Sequence, residues 1–132
     1  MNRKLKERSV GAITVEVALC LPILLTVLFG SYELARANMM LHSTESAAYE
    51  GARVGIIPGA TPEAVRAAVE RVLLSTNVRT FEVDINPAVI TNEDEQIEVV
   101  VTVPMRENLA IPAFFIQDPT FRGTCTLQRE QL

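Results

Sequence analysis

The chain holds one histidine, His42, and two cysteines, Cys20 and Cys125, that lie far apart. A two-histidine zinc motif cannot be built from them, and no C-x-x-C pair exists for metal or redox work. His42, Glu45 and Glu50 could be combined as ligands or as an acid–base group. A lone histidine on a helix without a second candidate reads instead as a structural residue, and no spacing sets a nucleophile beside a base. The run Glu93-Asp94-Glu95 lacks the spaced oxygen ligands of an EF-hand and reads as a solvated turn. No phosphate-cradling glycine motif occurs. The expectation is therefore a chain that is no enzyme and carries no cofactor or metal. The charge balance argues weakly against nucleic acid, and none is expected as a partner. Acidic residues outnumber basic ones 16 to 12, and the two lysines, Lys4 and Lys6, both fall in the first ten positions.

One carboxylate stands out by its surroundings. Glu16 interrupts an apolar stretch that runs from Val10 to Gly30. As a helix that stretch is ~31 Å long, enough to cross a hydrocarbon core of ~30 Å. Arg3, Lys4, Lys6 and Arg8 precede it against a single Glu7, a bias that keeps the N-terminus cytoplasmic and sends the remainder outward. Beyond Glu16 the uninterrupted part measures only ~21 Å, so either Glu16 enters the membrane or the helix continues past Gly30. An acidic side chain at a helix centre costs about 2.5–3.5 kcal/mol on insertion scales, and less at the edge. Glu16 can thus be a boundary residue that snorkels to the headgroups, or a residue held in the membrane for a purpose. Pro22 is expected to kink or loosen this helix, which membrane helices tolerate. Two further readings of the segment stay open. Ala35-Arg36-Ala37 fits the rule for ordinary signal cleavage, which would release a soluble binding domain starting near Asn38. An uncleaved signal anchor is the other, and a membrane-anchored enzyme would need residues that cannot be named.

Past Gly30 the helix is expected to continue to Gly55. Leu34, Leu41, Ala48 and Ala52 lie close to one face, with Ala37 and Glu45 alongside, and Glu33–Arg36 and Glu50–Arg53 are spaced as ion pairs. Ala47, Ala48, Gly51, Ala52 and Gly55 make its end slim, which suits a core-packing face better than an oligomer contact. Ile56-Ile57-Pro58-Gly59 ends it. A second, amphipathic helix starts at an N-cap, Thr61, followed by Pro62 and Glu63. Val65, Ala68, Val69, Val72 and Leu73 give it an apolar stripe, Arg66 and Glu70 pair on the wet side, and Asn77 stops it.

The rest reads as strands. Phe81 to Ile85 alternates and ends at Asn86-Pro87, and Ile97 to Val103 is the expected central strand. In a third strand, Phe121, Gly123, Cys125 and Leu127 share a face. The apolar segment from Leu109 to Ile116 is expected to fold over the core, with an exposed contact patch as the alternative. Both cysteines are expected to be small packing residues, unpaired with each other. The fold class is α+β: a long N-terminal transmembrane helix extended outside the membrane, a second amphipathic helix, and a small antiparallel three-stranded sheet.

A short basic leader ending in glycine, a glutamate five residues after that glycine, and a long apolar helix resemble a class III (type IV prepilin) signal. The wider stretch Gly11-Ala12-Ile13-Thr14-Val15-Glu16-Val17-Ala18, with Leu19-Cys20-Leu21-Pro22, Leu28-Phe29-Gly30 and Ala48-Tyr49-Glu50-Gly51-Ala52-Arg53, resembles the TadE-like family. These are minor pseudopilins of the tight-adherence (Flp, type IVb) pilus. The resemblance implies cleavage between Gly11 and Ala12 by a prepilin peptidase, with the apolar helix retained. Residues 1–11 would be leader, 12–57 the transmembrane and extended helix, and 58–132 a small extracytoplasmic domain. Glu16 would be the family's glutamate. One helical turn from the new Ala12 amine, it could pair with that amine on a neighbouring subunit and set axial register. The resemblance further implies a single-pass protein of the cytoplasmic membrane, with its C-terminal domain outside, that can enter a surface pilus. Its partners would be the peptidase, other pilins and pseudopilins, and the pilus assembly platform. Its role would lie in pilus assembly or initiation, and so in adhesion and biofilm formation.

Overall fold

The computed structural model describes residues 3–91, 94–109 and 113–129, with side chains from residue 11 onward. Helix α1 (Arg3–Gly55) is 53 residues long, about 80 Å end to end. It continues through Pro22, where the Thr26 hydroxyl donates back to the Pro22 carbonyl at 2.8 Å. The carbonyl that Pro22 leaves without its helical donor is that of Ala18, one turn earlier. Helix α2 (Pro62–Ser75) follows, then strands β1 (Glu82–Asn86), β2 (Gln96–Pro104) and β3 (Thr120–Gln128). The fold is the expected α+β arrangement.

The sheet has the order β1-β2-β3 and is antiparallel throughout. Val83 lies opposite Val101, and Ile85 opposite Val99. Across the other seam Val99 faces Cys125, Val101 faces Gly123 and Val103 faces Phe121. Period-two alternation puts these residues on one face, and that face carries both helices. Its neighbours from α1 are Met40, Ala47, Ala48 and Ala52, and from α2 Val65, Val69 and Leu73.

The slim end of α1 is the core face. A Cβ on Gly51 would stand 2.7 Å from a Val69 methyl, and one on Gly55 would stand 2.9 Å from an Ile97 methyl. Leu34 and Glu45 are exposed, against expectation, while Glu33, Met40 and Thr44 point inward. Steps of three and four from residue 33 through 37, 40, 44, 48, 51 and 55 follow the true stripe.

Helix α2 has the expected ends. The Thr61 hydroxyl accepts from the Ala64 amide at 3.3 Å. Asn77 adopts φ 59, and its amide donates to Leu74 while that of Val78 donates to Leu73. That pair of bonds is a Schellman cap, closed by contact of two core residues, Val78 and Leu73. Arg66 does not complete the expected pair with Glu70 but donates to the Val83 carbonyl at 3.0 Å, tying α2 to β1. At the far end of α1, Arg129 donates to the carbonyls of Gly55 and Ile56, both at 3.0 Å. A cation there satisfies orphan carbonyls and the negative end of the helix dipole.

Candidate functional site

Two regions of α1 differ completely. Every side chain from residue 11 to residue 29 is exposed, including Ile13, Leu19, Ile23 and Leu28. From residue 40 to residue 55 the same helix supplies the core. An aqueous setting would leave the first region as a bare apolar rod far larger than soluble proteins tolerate. The rod is long and apolar enough to cross a membrane, so it is a candidate anchor.

Gly11, Ala12 and Glu16 all lie on this rod, in continuous helix. Among the described residues, nothing comes within 4 Å of the space a Gly11 side chain would fill. Ala12 and Glu16 are one turn apart, about 6 Å along the axis. Cys20, expected to be packed, is exposed on the same rod, because no other described element reaches it. Cys125 is half-buried on the core face of β3, where burial pushes its thiol up.

The rod joins the domain through two charged residues that sequence spacing had paired with each other. The expected Glu33–Arg36 pair does not form. Glu33 is only 3% exposed, and its carboxylate accepts the backbone N–H groups of Phe114, Phe115 and Ile116, the last two at 2.9 and 3.0 Å. Arg36 donates to the carbonyls of Asn108 at 3.2 Å and Thr76 at 3.4 Å, so it caps the C-terminus of α2. Both charges bond instead to backbone groups outside α1. The Glu50–Arg53 pair does form, as a fork with contacts of 2.7 and 2.8 Å.

The apolar segment after Leu109 divides. Leu109 and Ile116 pack partly against the core, whereas Phe114 and Phe115 turn outward, so the core-folding expectation fails for those two rings. Ile111 lies outside the described residues, as do Asn92 and Glu93 and the leader side chains. Asp94, from the acidic run, accepts from the Thr91 amide and hydroxyl. His42 meets Glu45 at 3.4 Å in an exposed contact, and Glu50 is committed to Arg53, so the three are not brought together as one group. Sequence reasoning gave Glu33 and Arg36 the wrong partners and missed Asn108 and Arg129 altogether. Glu33, Arg36 and Asn108 adjoin apolar residues, whereas Arg129, between Gln128 and Glu130, carries no such signal.

The described side chains thus build a candidate anchor and a joint, and comparison with known families points the same way. Residues 11–53 match the TadE-like protein family. No curated protein and no solved structure gives a significant match to the chain. The TadE-like match takes in the bare rod, Glu33 and Arg36, and most of the core-packed part of α1. It ends before α2 and the sheet.

Proposed function

We propose that the chain is a membrane-anchored minor pilin or pseudopilin of the tight-adherence (Flp, type IVb) pilus, acting in assembly or initiation of the fibre and so in surface attachment and biofilm formation. The observation that carries this reading is one unbroken helix, bare over residues 11–29 and core-packed from Met40 to Gly55. The TadE-like match over residues 11–53 agrees with it, because that match spans both parts. In this reading the helix crosses the cytoplasmic membrane with the domain outside. A prepilin peptidase cuts between Gly11 and Ala12, and the protein meets other pilins, pseudopilins and the assembly platform. Its role is structural, not enzymatic.

Cleavage after Ala37 fits the geometry poorly. It would remove Glu33 and Arg36, and with them the acceptor for three backbone amides and the cap on α2. A released domain would begin with its joint torn out.

Glu16 has a task in the proposed assembly. Removing the leader leaves an ammonium on Ala12, and a carboxylate one turn away on an adjacent helix would neutralise it in a medium where either charge alone is costly. Such pairs would fix how far one subunit sits along the axis relative to the next.

Intact-mass measurement of the protein from its host, with and without the prepilin peptidase, tests the reading. The expected product begins at Ala12 and depends on the peptidase. A product beginning at Asn38, or an uncut chain in cells that hold the active peptidase, overturns it.

A further inference from the structure

Phe114 and Phe115 are 67% and 55% exposed, two large rings side by side on a short loop. They stand where the bare rod enters the domain. The Phe114 ring lies 5.9 Å from the ring of Phe29, tilted by 45°. Phe115 carbons come within 3.9 Å of the space a Gly30 side chain would take. Phe29 and Gly30 end the apolar stretch, so the loop extends the rod's apolar surface sideways at its outer rim.

Glu33 explains how the loop is held there. After Glu16, the next charged residue along the helix is Glu33, about 26 Å further on. It would meet the membrane near the headgroup boundary. Instead its carboxylate is covered by the loop and accepts three consecutive backbone amides, which are strong charge-assisted bonds. A charge at the rim is thereby exchanged for two phenyl rings facing outward. Phenylalanine lacks the polar tip that places Trp and Tyr among the headgroups, so its rings gain by meeting the acyl chains just inside that depth.

Resting on the reading that residues 10–30 span the bilayer, we infer that Phe114 and Phe115 form an aromatic collar that seats the domain on the outer leaflet of a phospholipid membrane, with Glu33 as its positioning residue. Lipid fits better than a second copy of the chain on grounds of area. Two rings carry roughly 300–500 Å² between them, part of it already buried in the chain, short of the ~600 Å² per partner at the lower end of specific protein interfaces. They also adjoin helix surface that hydrocarbon must cover in any case. A seated collar fixes the tilt of the domain, which would otherwise swing on a single helix.

The chain has no tryptophan, so single replacements report cleanly. Full-length protein carrying Phe114→Trp, Phe115→Trp, Leu28→Trp or Val89→Trp is reconstituted into phosphatidylcholine–phosphatidylglycerol vesicles. Quenching by lipids brominated at shallow or deep acyl positions is then read. Val89 is exposed near Thr91, whose carbonyl Arg129 bridges to the end of α1, so it reports the far end of the domain. The expected result is several-fold stronger quenching at positions 114 and 115 than at 89, by shallow bromines above all, with deeper quenching at 28. Adding Glu33→Ala to Phe115→Trp should drop quenching at 115 towards the level at 89, while position 28 is unchanged. Quenching at 28 with none at 114 and 115 overturns the collar and leaves the spanning helix intact. No quenching at 28 overturns the spanning helix itself, and the collar with it. Blue-shifted emission at 114 and 115 that grows with protein density but resists brominated lipid assigns the rings to a second subunit and also overturns the collar. If Glu33→Ala leaves quenching at 115 unaltered, Glu33 does not position the rings.

Discussion

The Cβ that Gly123 lacks would stand 2.6 Å from the carbonyl oxygen of Thr44. Strand β3 therefore passes directly beneath the backbone of α1, and the side chain of the intervening residue has to be a hydrogen. The atom it would strike is backbone in a helix anchored by its own ladder, so it cannot simply rotate away. Gly123→Ala should destabilise the domain by about 1–3 kcal/mol through overpacking. The smaller entropic gain of replacing glycine, about 0.4–1 kcal/mol, leaves the sign unchanged. Thermal unfolding of the full chain in detergent micelles checks this, with Thr124→Ala, on the exposed face, as the neutral control. Equal melting temperatures would mean the helix and strand can part without cost.

Asn108 is a second residue whose replacement should be costly. It is buried, and its side chain makes four bonds. Its Oδ1 accepts from the amides of Arg79 and Thr80 at 2.7 and 2.9 Å, and its Nδ2 donates to the carbonyls of Thr80 and Pro104 at 2.8 and 2.9 Å. Asn108→Ala strands these backbone groups at once. With a penalty of about 1–3 kcal/mol for an unsatisfied buried group, and some of the four able to find water, a loss of about 2–4 kcal/mol is expected. Hydrogen exchange should show the damage first at Arg79 and Thr80, whose amides lose their acceptor.

Most of the fold could be read from the chain because its signals are local. Thr61-Pro62-Glu63 and Asn77 mark both ends of α2, and the valine run from Ile97 to Val103 marks the central strand. The glycine and alanine positions near the end of α1 pointed to a packed face, and Gly51 and Gly55 do meet Val69 and Ile97. What escaped were side chains whose partners are backbone groups far along the chain. Glu33 and Arg36 sit three apart, which on an isolated helix means an ion pair. Only the folded chain brings residues 114–116 and 108 to them, 72 or more positions away. Leu34 was misplaced for the same reason, since apolarity alone turned it inward where the loop amides select Glu33. In the region of Gly11, Ala12 and Glu16 the sequence pattern carries more than a single folded chain does, because the partners proposed there belong to other molecules.

The turn before β2 should respond to acid. The Thr91 amide and hydroxyl hold the Asp94 carboxyl below the ordinary aspartate range, against the opposing pull of desolvation. Arg129 adds a smaller attraction, and its own Nη1 donates to the Thr91 carbonyl at 2.6 Å. A carboxyl with a lowered value in the folded state contributes fully above its unfolded value of ~3.9. That contribution is lost as the pH falls through the lower folded value. The Thr91 amide proton, followed by NMR, should shift with a midpoint below that of a free aspartate, and Asp94→Asn should abolish the transition. A midpoint at or above the free value would mean that the turn does not favour the charged form.

Glu16 offers the sharpest test of the proposed assembly. Its carboxylate lies on an exposed helix face one turn beyond Ala12, so its loss should not disturb the folded domain, whose nearest core residue is far along α1. Insertion should also survive Glu16→Ala, because removing a charge from an apolar segment makes insertion easier. Assembly is a different matter. With the carboxylate gone, the Ala12 ammonium of each neighbour would be left unpaired in low dielectric, at a cost of several kcal/mol. Since each 1.4 kcal/mol is about tenfold in association, incorporation into the pilus or its initiating complex should fall by at least about tenfold. Glu16→Gln should behave like Glu16→Ala if charge is what matters, and like the parent chain if a hydrogen-bond acceptor suffices. Co-purification of each variant with other pilins from membranes, at matched expression and membrane content, reads the difference. Parental levels of assembly for both variants would leave the carboxylate with no part in setting register.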